Sequence, residues 1–323
     1  MRTTSVFART TMTAALLFGT ALMAAPALAA APMAHTTAPG YYRMMLGDFE
    51  VTALSDGTSP MPVLQLLTGI TPAQTEQALK ADFQSPPYEM NFNAFIINTG
   101  TKLVLFDTGA GRLLGKDLGE LPARIKASGY RPEQVDDIYI THMHPDHIGG
   151  LSEQGRGVFP NAVVHANRHD ADFWLSKAQR DKAPAAQKEF FDDAMAALKP
   201  YIQAGRFKTF SDDAQLAPGI RAVPLAGHTP GHTAYMVESK GQKMLVWGDV
   251  IHVPAVQFAQ PQVAIHFDID SPEAVAARER ILAEAAHNGY LIAGAHLSFP
   301  GLGHLRKEGT GYRWIPVSYT ERH

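Results

Sequence analysis

Three histidines and an aspartate lie within six residues of one segment, THMHPDHIGG at 141–150. The four residues are His142, His144, Asp146 and His147. The segment follows DDIYITH (136–142), a run typical of a buried strand. Because Pro145 turns the chain, the four side chains can converge, which a regular helix or strand would prevent. Taken alone, the segment also fits a solvated polar loop.

Three further ligand-type residues each end or follow a strand-like apolar run. They are His228 in GHTPGH, Asp249 at the end of MLVWGD, and His296 at the end of YLIAGAH. Imidazole and carboxylate groups suit zinc, iron, manganese or cobalt. One ion rarely takes four ligands from so short a loop, so the pattern predicts two adjacent ions.

The sequence contains no cysteine, which excludes disulfides, a thiol nucleophile and thiolate ligands. Any metal must therefore be held by nitrogen and oxygen. The net charge of -3 favours neither a nucleic-acid partner nor an anionic membrane. We expect a small-molecule substrate instead.

Strand-like and helix-like segments occur in both halves of the chain. The predicted strands are 49–57, 93–100, 102–109, 136–142, 161–167, 219–225, 233–239, 243–249 and 290–296. The predicted helices are 117–129, 168–203 with a break near Ala183–Pro184, and 271–289 with Ser271 as N-cap and Gly289 at its end. The order predicts two sheets that form one core, with helices outside.

The first 29 residues are typical of a secretory signal peptide. Arg2 and Arg9 form a positive region, an apolar run follows, and ALA at 27–29 offers small residues for cleavage. The run is too short for a convincing membrane span, and an uncleaved anchor is the less favoured alternative. We therefore expect a periplasmic or secreted protein with one hydrolase domain at 30–323.

These motifs resemble the metallo-β-lactamase superfamily. HMHPDH matches its H-x-H-x-D-H signature, and GHTPGH and GD match its later ligand positions. The chain is most similar to the methyl parathion hydrolase-like branch, through GYYRMMLGDFEVTALSDGT, YITHMHPDHIGGL and AHLSFPGLGHLR. The resemblance implies an αββα sandwich, a dinuclear site along one edge, and a homodimer.

The resemblance also implies how the ligands are shared. His142, His144 and His228 would hold one ion, Asp146, His147 and His296 the other, and Asp249 would bridge them. We expect zinc, with manganese, cobalt and iron as alternatives. Two such ions can share a hydroxide that attacks the substrate, and Asp146 can relay a proton. A serine nucleophile is not needed, and no G-x-S-x-G motif is present.

Other polar residues near the motifs are predicted to support the ligands. We expect His232 to orient its neighbours by hydrogen bonding, because the pattern gives the ligand role to His228. Asp107 could support the metal loop, although a turn-capping role fits equally well. The remaining candidates are predicted to be surface or structural histidines: His165, His169, His287 and His304.

The expected substrate follows from pocket positions where the chain departs from organophosphate-degrading relatives. This chain has Leu66 where those members carry arginine, Ile265 where they carry threonine, and His252 and Phe267 where they carry leucines. The four residues of this chain are similar to those of relatives that hydrolyse lactones and aryl esters. Three further residues could add apolar wall or serve ordinary core packing: Leu114, Trp174 and Phe190.

The sequence thus predicts a lactonase or arylesterase with weak organophosphate hydrolysis. A true organophosphate triesterase is the alternative. A β-lactamase, a non-catalytic metal-binding module and a diiron redox protein are less favoured.

Overall fold

In a computed structural model, residues 1–2 and 31–320 are described. Residues 3–29 of the predicted signal peptide lie outside that part. The chain separates into two units, Met1–Thr37 and Ala38–His323, and every element named below lies in the second.

The strands of the described residues are mostly short. In chain order they are β1 Tyr41–Leu46, β2 Phe49–Met61, β3 Leu67–Thr68, β4 Tyr88–Asn98, β5 Leu103–Phe106, β6 Asp137–Tyr139, β7 Ser152–Glu153, β8 Arg156–Gly157, β9 Val163–Asn167, β10 Phe207–Phe210, β11 Gln215–Ala217, β12 Ile220–Pro224, β13 Thr233–Ser239, β14 Gln242–Val246, β15 Ala264–Ile265, β16 Leu291–Ala293, β17 Leu302–Glu308 and β18 Gly311–Pro316.

The helices lie between these strands. They are α1 Val63–Leu66, α2 Pro72–Ala81, α3 Leu121–Ala127, α4 Pro145–Ile148, α5 Arg168–Trp174, α6 Lys177–Lys182, α7 Lys188–Gln203, α8 Pro254–Gln257 and α9 Ser271–Asn288, with short 3-10 turns at Pro132–Gln134, Gly149–Leu151 and Ala185–Gln187. None of the helices described here is long and apolar enough to cross a membrane.

Two seven-stranded sheets form the centre of the fold. The first has the order β1-β2-β4-β5-β6-β9-β10, and the second has the order β11-β12-β13-β14-β16-β17-β18. In the first sheet β5, β6, β9 and β10 are parallel neighbours, and the remaining pairs are antiparallel. In the second sheet only β14 and β16 are parallel neighbours.

Side chains alternate along the strands between an inner and an outer core. In β4, Phe95 and Ile97 pack between the sheets, whereas Ala94 and Ile96 pack with the residues of α3, α5 and α7. In the second sheet, Leu245 of β14 packs against α9. Both faces of each sheet are therefore buried, which explains why these strands read as continuous apolar runs. The layers are helix, sheet, sheet, helix, so the predicted αββα sandwich is confirmed.

Several element boundaries differ from the prediction. The helix predicted at 117–129 is confirmed only at Leu121–Ala127, and the residues before it form a loop. The break near Ala183–Pro184 is confirmed. The N-cap of α9 is Asp270 rather than Ser271, because the Asp270 carboxylate accepts a hydrogen bond from the Glu273 backbone N–H at 3.0 Å.

Candidate metal centre

The ligand-type residues lie where strands of both sheets end. The segment 142–147 follows β6 in the first sheet. In the second sheet, His228, Asp249 and His296 follow β12, β14 and β16. These three strands run in the same direction, so their carboxyl ends meet at one edge. The site therefore spans the gap between the two sheets.

One group of potential ligands consists of His142, His144, His228 and Asp249, all buried, with ligand atoms that lie within 4.8 Å of one another. His142 Nε2 is 3.1 Å from His144 Nδ1. Asp249 Oδ2 is 3.6 Å from His142 Nε2 and 3.3 Å from His228 Nε2. Three imidazoles and one carboxylate oxygen thus surround a common point.

A second group of the same size consists of Asp146, His147, Asp249 and His296. Asp249 turns its other oxygen to this group, with Oδ1 3.0 Å from His147 Nε2 and 3.2 Å from His296 Nε2. Asp146 Oδ2 is 3.2 Å from His147 Nε2 and 3.3 Å from His296 Nε2. The structure therefore has two His/Asp metal-binding sites that share Asp249.

Unpartnered buried atoms show that these residues fit metal ions. His147 Nε2, His228 Nε2 and Asp249 Oδ1 are buried and have no partner in hydrogen-bond geometry. Buried polar atoms left without partners are costly. All three point into the two groups, where a cation would satisfy them.

The charges at the site lead to the same conclusion. Burial disfavours the protonated form of His228 and His296, but contacts with Asp249 and other carboxylates outweigh it and raise their pKa values to about 9 and about 10. Burial also disfavours ionised Asp249, yet the surrounding histidines hold its pKa well below the usual range. The carboxylates are thus balanced by protons that cations could replace.

The other ring nitrogens of several ligand histidines are held by hydrogen bonds. His147 Nδ1 is 2.9 Å from Asp107 Oδ2, and His228 Nδ1 is 2.8 Å from Asp268 Oδ1. His296 Nδ1 donates to the Asn91 carbonyl at 2.9 Å. Such contacts fix the ring orientation and leave Nε2 free for a metal. Asp107 also accepts bonds from the backbone N–H and hydroxyl of Thr141, so it supports the metal loop directly.

His232 lies beside the metal groups and belongs to neither. Burial lowers its pKa to about 3, so the ring is neutral. Its Nδ1–H donates to the Leu225 carbonyl at 3.2 Å, and its Nε2 accepts from the Asp249 backbone N–H at 3.1 Å. The bond to Leu225 holds the ring in place, and the bond from Asp249 positions the backbone of that ligand.

Asp170 and Asp268 were missed from the sequence, although both support ligands. Asp170 is buried and accepts from the backbone N–H groups of Met143 at 2.8 Å and Gly231 at 2.7 Å. It thereby joins the loop of His142 and His144 to the loop of His228. A carboxylate close behind a strand was the available signal, since Asp170 lies just beyond β9.

A cavity of about 250 Å³ opens onto the ligand groups. Of the predicted pocket residues, Leu114, Phe190, His252 and Phe267 line it. Leu66, Trp174 and Ile265 do not line it; they pack behind it, Trp174 against His144 at 5.2 Å between rings. The sequence did not single out several other apolar residues of the wall: Met61, Met90, Phe92 and Leu118.

The histidines expected to be structural lie away from the metal groups. His165 Nε2 is 2.8 Å from Asp137 Oδ1, and His304 Nδ1 donates to the Tyr290 carbonyl at 3.0 Å. His169 and His287 are exposed.

Residues 89–296 match the sequence profile of the metallo-beta-lactamase superfamily. Over 116 residues the chain is 26% identical to an N-acyl homoserine lactonase of a Bacillus species, a match that spans 36% of this chain and 38% of the relative.

Two solved structures are similar over nearly their whole length. A hydrolase of the beta lactamase superfamily, AbOPH, has a TM-score of 0.83 and 40% identity, over 88% of this chain and 100% of that one. AidC, a dizinc quorum-quenching lactonase in complex with a product, has a TM-score of 0.81 and 28% identity, over 87% of this chain and 99% of that one.

Proposed function

The chain belongs to the metallo-β-lactamase superfamily, and it has the fold and the two metal-binding sites of a hydrolase of that superfamily. From this premise we propose that it hydrolyses lactones and aryl esters. The observation that carries the proposal is an apolar cavity directly against the shared carboxylate, Asp249. The similarity to lactonases supports the same substrate class.

The cavity wall favours neutral, flat substrates. Phe92 packs edge-on against His296 at 5.1 Å, and Phe190 packs edge-on against His144 at 5.5 Å. Phe267 lies 6.4 Å from His252, and both narrow the space beside the metal groups. A trigonal ester carbonyl fits such a slot more easily than a tetrahedral phosphotriester with three substituents.

The same wall argues against β-lactam substrates. No lysine or arginine is among the described residues that line the cavity. A carboxylate on the part of the substrate that lies against this wall would lose its hydration and find no cationic side chain to pair with, which is unfavourable. Neutral esters meet no such penalty.

The ligand sets divide the site between two ions, for which we propose zinc. His142, His144 and His228 would hold one ion and Asp146, His147 and His296 the other, with Asp249 shared. Bound divalent ions polarise an ester carbonyl and lower the pKa of water at the site.

Among the ligands, Asp146 is the residue best placed to move a proton. Its side chain is 14% exposed and lines the cavity, whereas that of Asp249 is 3% exposed. Burial favours the protonated form of Asp146, but His147 and His296 outweigh it and keep its pKa well below the usual value. The ionised carboxylate can accept a proton from the attacking water and return it to the departing alkoxide oxygen.

The test compares kcat/KM of the zinc-, manganese- and cobalt-loaded protein on dihydrocoumarin, phenyl acetate and methyl paraoxon. We expect preference for the lactone or the ester, and loss of activity in His142→Ala and Asp249→Ala. His304→Ala is the matched control, because His304 is exposed and outside the site. A preference for methyl paraoxon would instead assign the chain as an organophosphate triesterase.

Export and homodimerisation also belong to the proposal. Export rests on the sequence of residues 1–29 alone and is tested by N-terminal sequencing of protein recovered from the periplasm or medium. The proposal of a homodimer rests on the resemblance to the methyl parathion hydrolase-like branch, and it is tested by measuring the molar mass in solution by light scattering.

A further inference from the structure

A loop between β5 and α3 forms part of the cavity wall. We define it as the wall loop, residues 110–119. Leu114 and Leu118 of this loop line the cavity, although Leu114 is 42% exposed and Leu118 is fully buried. Leu114 is therefore at the rim of the cavity, and its position depends on how the loop is held.

The two stems of the wall loop are held by one buried side chain. The Asp56 carboxylate accepts hydrogen bonds from the backbone N–H groups of Ala110 at 2.9 Å and Gly119 at 3.1 Å, both to Oδ2. Its Oδ1 accepts from the Leu121 N–H at 2.9 Å. One residue thus fixes both the start and the end of the loop.

Asp56 reaches the loop because β2 is irregular at this point. Ser55 pairs with Asn93 of β4 and Gly57 with Phe92, so Asp56 is an extra residue in β2 without a partner in β4. Such a bulge redirects a side chain out of the regular alternation. The next residue, Gly57, must lack a side chain, because a Cβ there would lie 2.3 Å from the Asp117 carbonyl oxygen of the wall loop.

Further contacts close the neck of the loop. A Cβ on Gly119 would lie 2.2 Å from the Gly111 carbonyl oxygen, so the two stems touch. The Arg112 guanidinium donates to the Leu118 carbonyl at 3.1 Å. The hydrogen bonds described for the tip stay within the loop, from the Leu113 N–H to the Ala110 carbonyl at 3.1 Å and from Lys116 to Asp117 at 2.9 Å, so the stems decide where Leu114 lies.

We propose that Asp56 is a positioning residue for the substrate cavity, which it shapes from the β2 bulge by pinning the two stems of the wall loop. Asp56 does not line the cavity and acts on the substrate only through Leu114 and Leu118. The inference rests on the proposed function for its substrate class, but the pinning of the loop can be measured without any substrate.

The first measurement is hydrogen exchange of the metal-loaded wild type and Asp56→Asn. An asparagine has one acceptor oxygen and an NH2 group in place of the other, so it loses either the shared bonds to Ala110 and Gly119 or the bond to Leu121, and its NH2 group then faces a backbone N–H, which loosens this cluster of bonds. We expect exchange at Ala110, Gly119 and Leu121 to accelerate by about tenfold or more, while peptides of α9 remain unchanged. Unchanged exchange in the wall loop would overturn the proposal whatever the activity shows.

The second measurement is the ratio of KM for phenyl octanoate to KM for phenyl acetate. The longer acyl chain needs more of the apolar wall, so we expect this ratio to rise by about tenfold in Asp56→Asn, with a smaller effect on kcat. Leu114→Ala should raise the ratio without faster exchange at the stems. Leu113→Ala is the matched control, because Leu113 is also 42% exposed but does not line this cavity.

Two outcomes separate this proposal from the proposed function. Faster exchange with an unchanged KM ratio would mean that Asp56 pins the loop but does not shape the cavity, which overturns the proposal. No turnover of either ester by the wild type would sink the proposed function, while the exchange data would still decide whether Asp56 holds the loop. If Asp56→Asn does not fold, Arg112→Ala removes a tie from an exposed residue and should shift both readouts in the same direction, to a smaller extent.

Discussion

At the residue scale, the metal centre depends on buried side chains that are not ligands themselves but hold the ligand residues in place by hydrogen bonds. His232 is the clearest case. It does not line the substrate cavity, yet its Nε2 accepts from the backbone N–H of Asp249, the carboxylate that both ligand groups share. Groups that orient ligands in this way commonly affect metal affinity or activity by about 10- to 100-fold.

We expect His232→Ala to lower kcat/KM by about 10- to 100-fold, because Asp249 loses the contact that fixes its backbone. The zinc content after dialysis, measured by mass spectrometry, should fall as well. His304→Ala should change neither value. Full activity and full zinc content in His232→Ala would show that Asp249 is positioned without this ring.

The ligand residues could be predicted because each carries a local signal, a histidine or aspartate at the end of an apolar run. Asp56 and Asp268 carry no such signal, and the signal of Asp170, a carboxylate close behind β9, does not show which residues it contacts. Asp170 acts through Gly231 and Asp56 through Ala110, contacts between residues 61 and 54 positions apart. Such contacts arise from tertiary structure, and no local pattern announces them.

At the element scale, α9 supports the metal-bearing loops through one buried cation. Arg278 is 2% exposed. Its Nε–H donates to the Val250 carbonyl at 2.7 Å, and its Nη1 donates to the carbonyls of Pro261 at 3.0 Å and Val263 at 2.8 Å. The helix thereby holds the segment that follows Asp249.

We expect Arg278→Lys to lower the free energy of unfolding by about 2 kcal/mol or more, because a lysine cannot reach all three carbonyls and leaves buried acceptors unpaired. Urea denaturation of the zinc-loaded protein measures this. Arg280→Lys is the control on the same helix, since Arg280 is more exposed and donates only one described bond, to the Pro224 carbonyl. Equal destabilisation by the two changes would contradict the role of Arg278.

Elements were predicted well where the apolar pattern is long and poorly where contacts override it. The hairpin of β4 and β5 and most of α9 were predicted. The start of the predicted helix at 117–129 was wrong, because Gly119 has a φ of +88° and its N–H bonds to Asp56 instead of to a helical carbonyl. The β17–β18 hairpin was missed, since its outer residues are charged and exposed.

At the scale of the whole molecule, the site ties stability to pH when no metal is bound. In the folded metal-free protein, the pKa values of His228 and His296 are about 9 and about 10, above the usual histidine value of 6.5. Their contribution to the free energy of unfolding is therefore complete below about pH 6.5, and it is lost as the pH rises through about 9 and about 10.

We expect the Tm of the metal-free protein to fall between about pH 6.5 and about pH 10, as these protons leave. The zinc-loaded protein should show a weaker dependence, because cations then balance the carboxylates. Scanning calorimetry of both forms across this range is the measurement. The same slope in both forms would mean that these histidines do not govern the alkaline limit of stability.

The position of the metal centre between the sheets has a mechanical consequence. Each ligand group takes residues from behind a strand of the first sheet and from behind strands of the second. A cation held there is a cross-link between the two halves of the molecule, in a chain that has no cysteine to form a covalent one. An ion that binds only the folded state stabilises it according to the ion's free concentration. This cross-link is therefore reversible, and its contribution depends on the free metal concentration around the protein as well as on the affinity of the site.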